Sequence, residues 1–178
     1  MPELLIGAGR RHYKRLIWQE QKEWSDLITL DFNAAHKPDV VHDIERLPLP
    51  FCNDLFDVVH AYHVLEHVGA QGDWRFFFDQ WADFWRILKP DGLFMGICPY
   101  HGNEWAWGDP GHTRIVSEES LTFLSQPTYI DQVGKTAMSD YRFYYKADFD
   151  ILYSRVNQLG EYNFVLRAIK PSRIIENS

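Results

Sequence analysis

Three small residues, Gly7-Ala8-Gly9, follow a short apolar run at residues 4–6, and a later apolar run ends in Asp31. Small residues after a buried strand let the backbone approach a ligand closely. A carboxylate at the end of the neighbouring strand can accept hydrogen bonds from both hydroxyls of a ribose. Together these residues predict half of a nucleotide site. A dinucleotide-binding turn needs a third glycine for close packing of helix on strand. His12 stands at the position of that third glycine, which argues against binding of NAD or FAD.

A second group, His63-x-x-Glu66-His67, places three possible metal ligands on one face if a helix starts there, since positions three and four apart share a face. His112 or His101 could supply a fourth ligand. Alternatively, Glu66 and His67 cap and brace the start of that helix. The spacing alone leaves both interpretations open.

Residues 99–114, which follow the fifth predicted strand, are rich in Gly, Pro, Trp and His. In an open α/β sheet this segment lies at the carboxyl edge, where ligands bind. Its two tryptophans either contact a substrate or pack the loop. His112, with Asp109 nearby, is the candidate general base or the group that orients an acceptor. The alternative is that His112 only holds the loop in place by a hydrogen bond.

Short apolar runs without strict alternation indicate strands buried on both faces of a parallel sheet. One helix is predicted from Asp73 to Leu88: its aromatic residues recur at helical spacing, and Arg75, Asp79, Gln80, Asp83 and Arg86 occupy the other face. Lys89–Gly92 is expected to end the helix and turn the chain. Residues 10–25 fit either a short helix or an irregular arm. Strands are predicted at Leu4–Ile6, Leu27–Leu30, Val40-Val41, Phe56–Ala61 and Leu93–Cys98, and a terminal antiparallel hairpin at residues 149–153 and 162–169.

The composition sets the class of protein. The 178 residues, 46% of them hydrophobic, fit a single domain over 1–178. A formal net charge of −7 and the absence of a basic run disfavour generic binding of duplex nucleic acid. The two cysteines, Cys52 and Cys98, are isolated, as is typical of a reducing compartment. No signal peptide or membrane-length apolar run is found, so we expect a cytoplasmic protein and no membrane partner.

The chain carries six motifs in this order: residues 4–9, Leu30-Asp31, residues 39–44, Leu47-Pro48, residues 56–67 and residues 86–92. This ordered set resembles the class I S-adenosylmethionine-dependent methyltransferases, in particular a compact type encoded by tailed phages. The resemblance implies a Rossmann-like α/β fold whose mostly parallel sheet is closed by an antiparallel C-terminal hairpin. Members usually carry a helix before the first strand. This chain has no room for it, so we expect that helix to be missing and the cofactor to be less covered.

The resemblance also implies the cofactor, S-adenosylmethionine, and the residues that bind it. The glycine turn would line its methionine end, and Asp31 would bind the ribose hydroxyls. Asp43 would meet the adenine amino group, with the Ile44 backbone at the ring edge, and Tyr62 would contact the cofactor from below. The implied set is Gly7, Ala8, Gly9, Asp31, Asp43, Ile44, Tyr62 and His63. Glu66-His67 also occurs in many members that bind no metal, so no metal ligand is assigned.

The first functional hypothesis is methyl transfer to an oxygen or nitrogen of an unidentified acceptor, either a small molecule or a macromolecule delivered by a partner. The second is a non-catalytic subunit that binds S-adenosylmethionine or serves as a scaffold. The third is an enzyme similar to the metal-dependent small-RNA 2′-O-methyltransferases, in which an acidic residue stands at the position of His63. A nicotinamide oxidoreductase is disfavoured by His12. We expect that a second subunit, as in a homo-oligomer, could cover the first strand and the loop at residues 99–114, called the aromatic loop below.

Overall fold

The computed structural model describes residues 1–10, 12–15, 24 and 26–174. Most of the segment 10–25, for which the sequence left a short helix or an arm open, lies outside the described residues. The described chain forms one seven-stranded sheet in the order β3-β2-β1-β4-β5-β7-β6. The strands are β1 (Glu3–Ile6), β2 (Leu27–Asp31), β3 (Val40–Val41), β4 (Phe56–Tyr62), β5 (Leu88–Pro99), β6 (Phe149–Val156) and β7 (Glu161–Ala168).

Strands β1 to β5 are parallel, and β7 pairs antiparallel with both β5 and β6. The predicted α/β class and the terminal hairpin are therefore confirmed. The strand order reverses between β1 and β4, and such a switch point leaves a crevice at the carboxyl ends of the strands. In the described part of the chain, four α-helices accompany the sheet: α1 (Trp74–Ile87), α2 (Trp105–Gly108), α3 (Glu118–Thr122) and α4 (Gln126–Gln132).

Helix α1 begins where the sequence predicts, because the Asp73 side chain accepts a hydrogen bond from the backbone N–H of Phe76. Its aromatic face packs into the core, where Phe78, Trp81 and Phe84 are fully buried. Complete burial of each such side chain contributes roughly 1.5–3 kcal/mol. The helix thereby fixes the sheet that carries the site.

The predicted polar face of α1 is wrong at two positions, since Gln80 and Asp83 are buried. Both polar groups find partners from distant segments. Asp83 accepts the backbone N–H of Leu49 at 2.7 Å, and Gln80 accepts a hydrogen bond from Arg114. Burial of a polar group is tolerated when such a partner is supplied.

The predicted turn at Lys89–Gly92 lies within the span of β5. It is an irregularity in the ladder between β4 and β5, since Phe56 pairs with Leu88 but Val58 pairs with Leu93. Asp91 has a φ of 61°, in the left-handed region that lets the chain bend there. The strand resumes beyond it and runs to the edge of the site.

Candidate functional site

A cavity of about 580 Å³ opens at the carboxyl ends of β1, β2 and β4. Its walls come from the segments that directly follow these strands, as expected at a switch point in an open sheet. Six of the eight cofactor-binding residues that the sequence implies line this cavity: Gly7, Gly9, Asp31, Asp43, Ile44 and His63.

The glycine turn is shaped by backbone that other residues rarely adopt. Gly7 and Gly9 have φ values of 62° and 58°. A Cβ atom on Gly7 would lie 2.6 Å from Cγ2 of Val64, so only glycine fits there. Ala8 between them is buried, and its N–H donates to the carbonyl of Leu30. The turn therefore lies close against β2.

Asp31 connects the glycine turn to the second strand. Its Oδ2 accepts the N–H of Gly9 at 2.8 Å, and its Oδ1 accepts the N–H of Asn33 at 2.8 Å. His36 Nδ1 lies 3.1 Å from Oδ2. Burial by itself raises the pKa of this carboxyl, but these two backbone donors and His36 outweigh burial and lower the pKa below its usual value. Asp31 is therefore ionised at neutral pH and can accept hydrogen bonds from hydroxyl groups.

The segment after β3 closes the next side of the cavity. The Asp43 side chain, which is partly exposed, accepts the N–H of Glu45 at 3.0 Å, and Ile44 is buried beside it. Glu45 in turn accepts the N–H of Gly69 at 2.7 Å. This contact joins the two loops on either side of the cavity.

His63 follows β4 with a φ of 53° and lies between two carboxylates. Its Nδ1 is 3.3 Å from Oε1 of Glu66, and its Nε2 is 2.8 Å from Oε1 of Glu161. The hydrogen bond to Glu66 is the main cause of a raised pKa of His63, burial lowers that pKa in part, and Glu161 adds to the rise. His63 thus lines the cavity between two acids, and both of them favour its charged form.

Tyr62 lies away from the cavity walls that the described residues form. Its hydroxyl is 2.7 Å from His60 Nδ1 and donates to the carbonyl of Arg15 at 3.2 Å. His60 also contacts Glu3 at 2.7 Å. Side chains alternate along a strand, so Tyr62 shares the face of His60 and joins that buried network. The implied contact of Tyr62 with the cofactor is therefore a prediction that this geometry does not support.

The candidate general base, His112, is held in the aromatic loop. Its Nδ1 is 3.3 Å from the carbonyl of Ala106, and its Nε2 is 3.8 Å from Oδ2 of Asp109. The second distance is too long for a hydrogen bond. Asp109 instead accepts the N–H of Gly111 at 2.7 Å. Of the two residues that the sequence suggests as catalytic, Asp109 shapes the loop. Nε2 of His112 lies beyond hydrogen-bond distance of Asp109.

The His-x-x-Glu-His group does not begin an α-helix, because Leu65–His67 is a single 3₁₀ turn. One ligand atom from each of Glu66, His67 and His112 nevertheless lies within 4.8 Å of the others. The rings of His67 and His112 are 4.6 Å apart between centroids. Loop 99–114 thus meets the end of β4.

Sequence reasoning missed several residues of the cavity wall, namely Phe32, His36, Glu45 and His67. Phe32 is 74% exposed although it is a large apolar residue. Its position directly after Asp31 is the signal that could have found it, since residues that follow a strand at this edge face the crevice. His36 reaches Asp31 through a 3₁₀ turn (Ala34–His36), which the sequence pattern did not predict.

A family described as "Methyltransferase domain" matches residues 14–96 of this sequence. Residues 14–96 are therefore similar to a methyltransferase domain. The match spans Asp31, Asp43 and the segment 62–67, and it begins after the glycine turn at residues 7–9. The match agrees with the predicted methyltransferase family, and the solved structures below confirm the predicted fold.

Solved structures show the same fold. An S-adenosylmethionine-dependent methyltransferase from Archaeoglobus fulgidus is 16% identical with a TM-score of 0.57, covering 93% of this chain and 85% of that chain. A chain from the complex between the Haloferax volcanii Trm112 methyltransferase activator and a methyltransferase is 14% identical with a TM-score of 0.55, covering 94% and 82%. Phosphoethanolamine N-methyltransferase 1 from Haemonchus contortus, in complex with phosphoethanolamine and S-adenosylhomocysteine, is 15% identical with a TM-score of 0.53, covering 99% and 41%. Curated proteins give no significant match.

Within the described residues, the chain has no helix of the length and apolar character that crossing a membrane requires.

Proposed function

We propose that this domain transfers the methyl group of S-adenosylmethionine to an oxygen or nitrogen atom of an acceptor bound beside the loop at residues 99–114. The observation that carries the proposal is the hydrogen bond from the Gly9 N–H to the ionised Asp31 carboxylate at the cavity wall. In this proposal the glycine turn lets the cofactor approach the backbone closely, and the neighbouring Asp31 carboxylate accepts hydrogen bonds from the ribose hydroxyls. A nucleoside with an extended chain on its ribose needs both.

The rest of the cavity fits the two ends of this cofactor. Phe32 offers an exposed aromatic face, and the Asp43 carboxylate with the Ile44 backbone offers polar groups to an adenine edge. The cofactor supplies a methyl group on a cationic sulfur, and carboxylates such as Asp31 and Glu45 give the cavity wall a complementary charge. Methyl transfer is an in-line displacement, so the main task of the protein is alignment of the acceptor.

The acceptor side is built by the aromatic loop. Trp105 and Trp107 in α2 are 65% and 70% exposed, which leaves their rings available to an acceptor or to a protein that delivers it. The carbonyl of Ala106 can only accept, so His112 carries its proton on Nδ1 and has a lone pair on Nε2. That nitrogen can take the proton that a hydroxyl loses as its oxygen bonds to the methyl carbon, or the proton that an ammonium group must lose before its nitrogen attacks. In either case S-adenosylhomocysteine leaves with the electron pair of the broken sulfur–methyl bond.

The net charge of −7 supports a small acceptor, or one delivered by a partner, over unassisted binding of nucleic acid. A chain of similar fold occurs in a complex with an activator protein. The exposed tryptophans of α2 give this domain a surface for a comparable contact.

Thermal unfolding with different ligands tests the cofactor. At about 100 times its dissociation constant a ligand adds roughly 2.7 kcal/mol, so S-adenosylmethionine or S-adenosylhomocysteine should raise Tm by about 5–10 °C. NAD should leave Tm unchanged. A rise with NAD and none with S-adenosylmethionine would reject the proposal.

Transfer of labelled methyl from S-adenosylmethionine into fractionated host extract separates catalysis from a non-catalytic binding role. We expect label in one class of product, formed together with an equal amount of S-adenosylhomocysteine. His112→Ala should reduce the rate without abolishing the thermal shift. Binding without any transfer would favour the scaffold hypothesis.

A further inference from the structure

We propose that a second cavity, beside the first turn of α1, binds a small molecule that combines one aromatic ring with a carboxylate group. Such a site goes beyond methyl transfer, since the second cavity shares no described lining residue with the cofactor cavity. Three features of the second cavity point to this class of ligand: aromatic walls, a buried guanidinium with unused donors, and a mouth of its own.

The walls of the second cavity are mainly aromatic. Its volume is about 200 Å³, and a cavity of roughly 150 Å³ already accommodates benzene, so there is room for one ring with a short chain. The ring centroid of Tyr141 lies 5.2 Å from that of Trp74 and 4.9 Å from that of Phe78. Rings at this spacing give an aromatic ligand both apolar cover and edge contacts. The aromatic wall residues are Trp74, Phe77, Phe78, Phe123 and Tyr141.

Arg114 adds a buried cation to this wall. The residue is only 7% exposed, and a guanidinium offers five N–H donors. Its Nε donates to the carbonyl of Leu65 at 2.8 Å, and its Nη2 donates to Oε1 of Gln80. Within the described residues no acceptor contacts Nη1, and Arg114 forms no ion pair. The guanidinium therefore has donors left for a carboxylate, with which Arg makes strong charge-assisted hydrogen bonds.

The charges of the second cavity favour an anion at its buried end. Burial lowers the pKa of Arg114 to about 10, although Cys98 and Glu66 raise it in part, so the guanidinium stays charged at neutral pH. A bound carboxylate would pair a buried charge that the described residues leave without a contact partner. Asp73 also lines the cavity, but it is exposed, and its Oδ1 accepts the N–H of Phe76. The ligand therefore places its carboxylate inside, at Arg114, and its ring between the aromatic walls.

One short segment divides the two cavities. Residues 67–68 line the cofactor cavity, and the exposed part of residues 70–73 lines the second cavity. Between them, the N–H of Gly69 donates to Glu45 in the wall of the cofactor cavity, and a Cβ on Gly69 would lie 3.6 Å from Arg114 Nη1. The ligand therefore has a site of its own, and its binding is measured without S-adenosylmethionine. Failure of this site and failure of methyl transfer are separate results.

Titration of the isotope-labelled full chain, followed by two-dimensional NMR without S-adenosylmethionine, tests the site. The probe is 3-phenylpropionate, a ring on a short chain with a carboxylate, and 3-phenylpropanamide is its neutral counterpart. We expect the acid to bind one-to-one with a dissociation constant of about 1 mM or lower. The amide should bind at least about tenfold more weakly, because it loses the charged hydrogen bonds to Arg114. The largest shifts should fall on the Trp74 indole and on residues 70–73, not on the glycine turn.

Ala70→Trp tests the mouth of the site and leaves Arg114 in place. Ala70 is exposed, and the hydrogen bond from the Asp73 N–H to its carbonyl involves only backbone, so the variant should fold. The bulky ring should weaken binding of the acid at least about tenfold. Ala137→Trp, which changes an equally exposed alanine outside the described lining, is the matched control and should bind as the wild type does.

Arg114→Gln tests the buried end. It should bind the acid and the amide equally, and circular dichroism checks that it folds. If it does not fold, the amide and Ala70→Trp still decide. Equal affinity of the wild type for acid and amide, unchanged affinity of Ala70→Trp, or no binding of the acid at millimolar concentration would overturn the proposal.

Discussion

Gly7→Ala tests whether the turn at the cavity is specified by backbone conformation and by contact with Val64. A left-handed φ costs a residue with a Cβ about 1–2 kcal/mol, and the observed φ is 62°. The new Cβ would also lie 2.6 Å from Val64 Cγ2 and 2.8 Å from Val64 Cβ. Such overpacking adds about 1–3 kcal/mol. The expected loss of unfolding free energy is therefore about 2–5 kcal/mol.

Gly9→Ala is a matched control because it carries the cost of the left-handed backbone without the cost of overpacking. Its φ is 58°, and no atom of the described residues lies within 4 Å of the added Cβ. We expect a loss of only about 1–2 kcal/mol. Urea unfolding followed by circular dichroism, without cofactor, measures both variants on one scale. Equal losses in the two variants would refute the steric part of this reasoning, and no loss in either would refute the backbone part.

Two further perturbations test the buried network and the helix. Burial lowers the pKa of His60 below its usual 6.5, although Glu3 raises it in part and Lys14 adds to the lowering. The folded state therefore favours neutral His60, and the free energy of unfolding falls as the pH drops below about 6.5. Urea unfolding from pH 8 to 5.5 should show a smaller fall of this free energy in His60→Gln than in the wild type. Asp83→Asn weakens the acceptor of the Leu49 N–H and should cost about 3 kcal/mol in the same assay, whereas the exposed Asp79→Asn should cost little.

Local patterns in the sequence were enough to predict the sheet and one helix. The strands read as apolar runs because a parallel sheet covers both faces of each strand, and Asp73 marks the start of α1 through a contact within one turn. The glycine turn and Asp31 were predictable for the same reason. Each lies where an apolar run ends, so its place in the crevice follows from the class of fold.

Features that depend on contacts between distant segments were not predictable. Asp83 is buried because Leu49, 34 residues earlier, donates to it, and nothing in the helical periodicity signals that partner. Tyr62 belongs to the buried His60 network, since the alternation of side chains along β4 turns it from the cavity. The cluster of Glu66 and His112 likewise depends on a backbone pairing between the end of β4 and a loop more than 40 residues later.

The affinity of S-adenosylmethionine for Asp31→Asn, measured by isothermal titration calorimetry, tests the central claim most directly. Loss of one charged hydrogen bond to a hydroxyl costs about 1.5–3 kcal/mol, so the dissociation constant should rise roughly 10- to 150-fold. Asp131→Asn, which changes an exposed aspartate at the end of α4, should bind as tightly as the wild type. Equal affinities of the two variants, with both folded, would contradict the assignment of this cavity as the cofactor site.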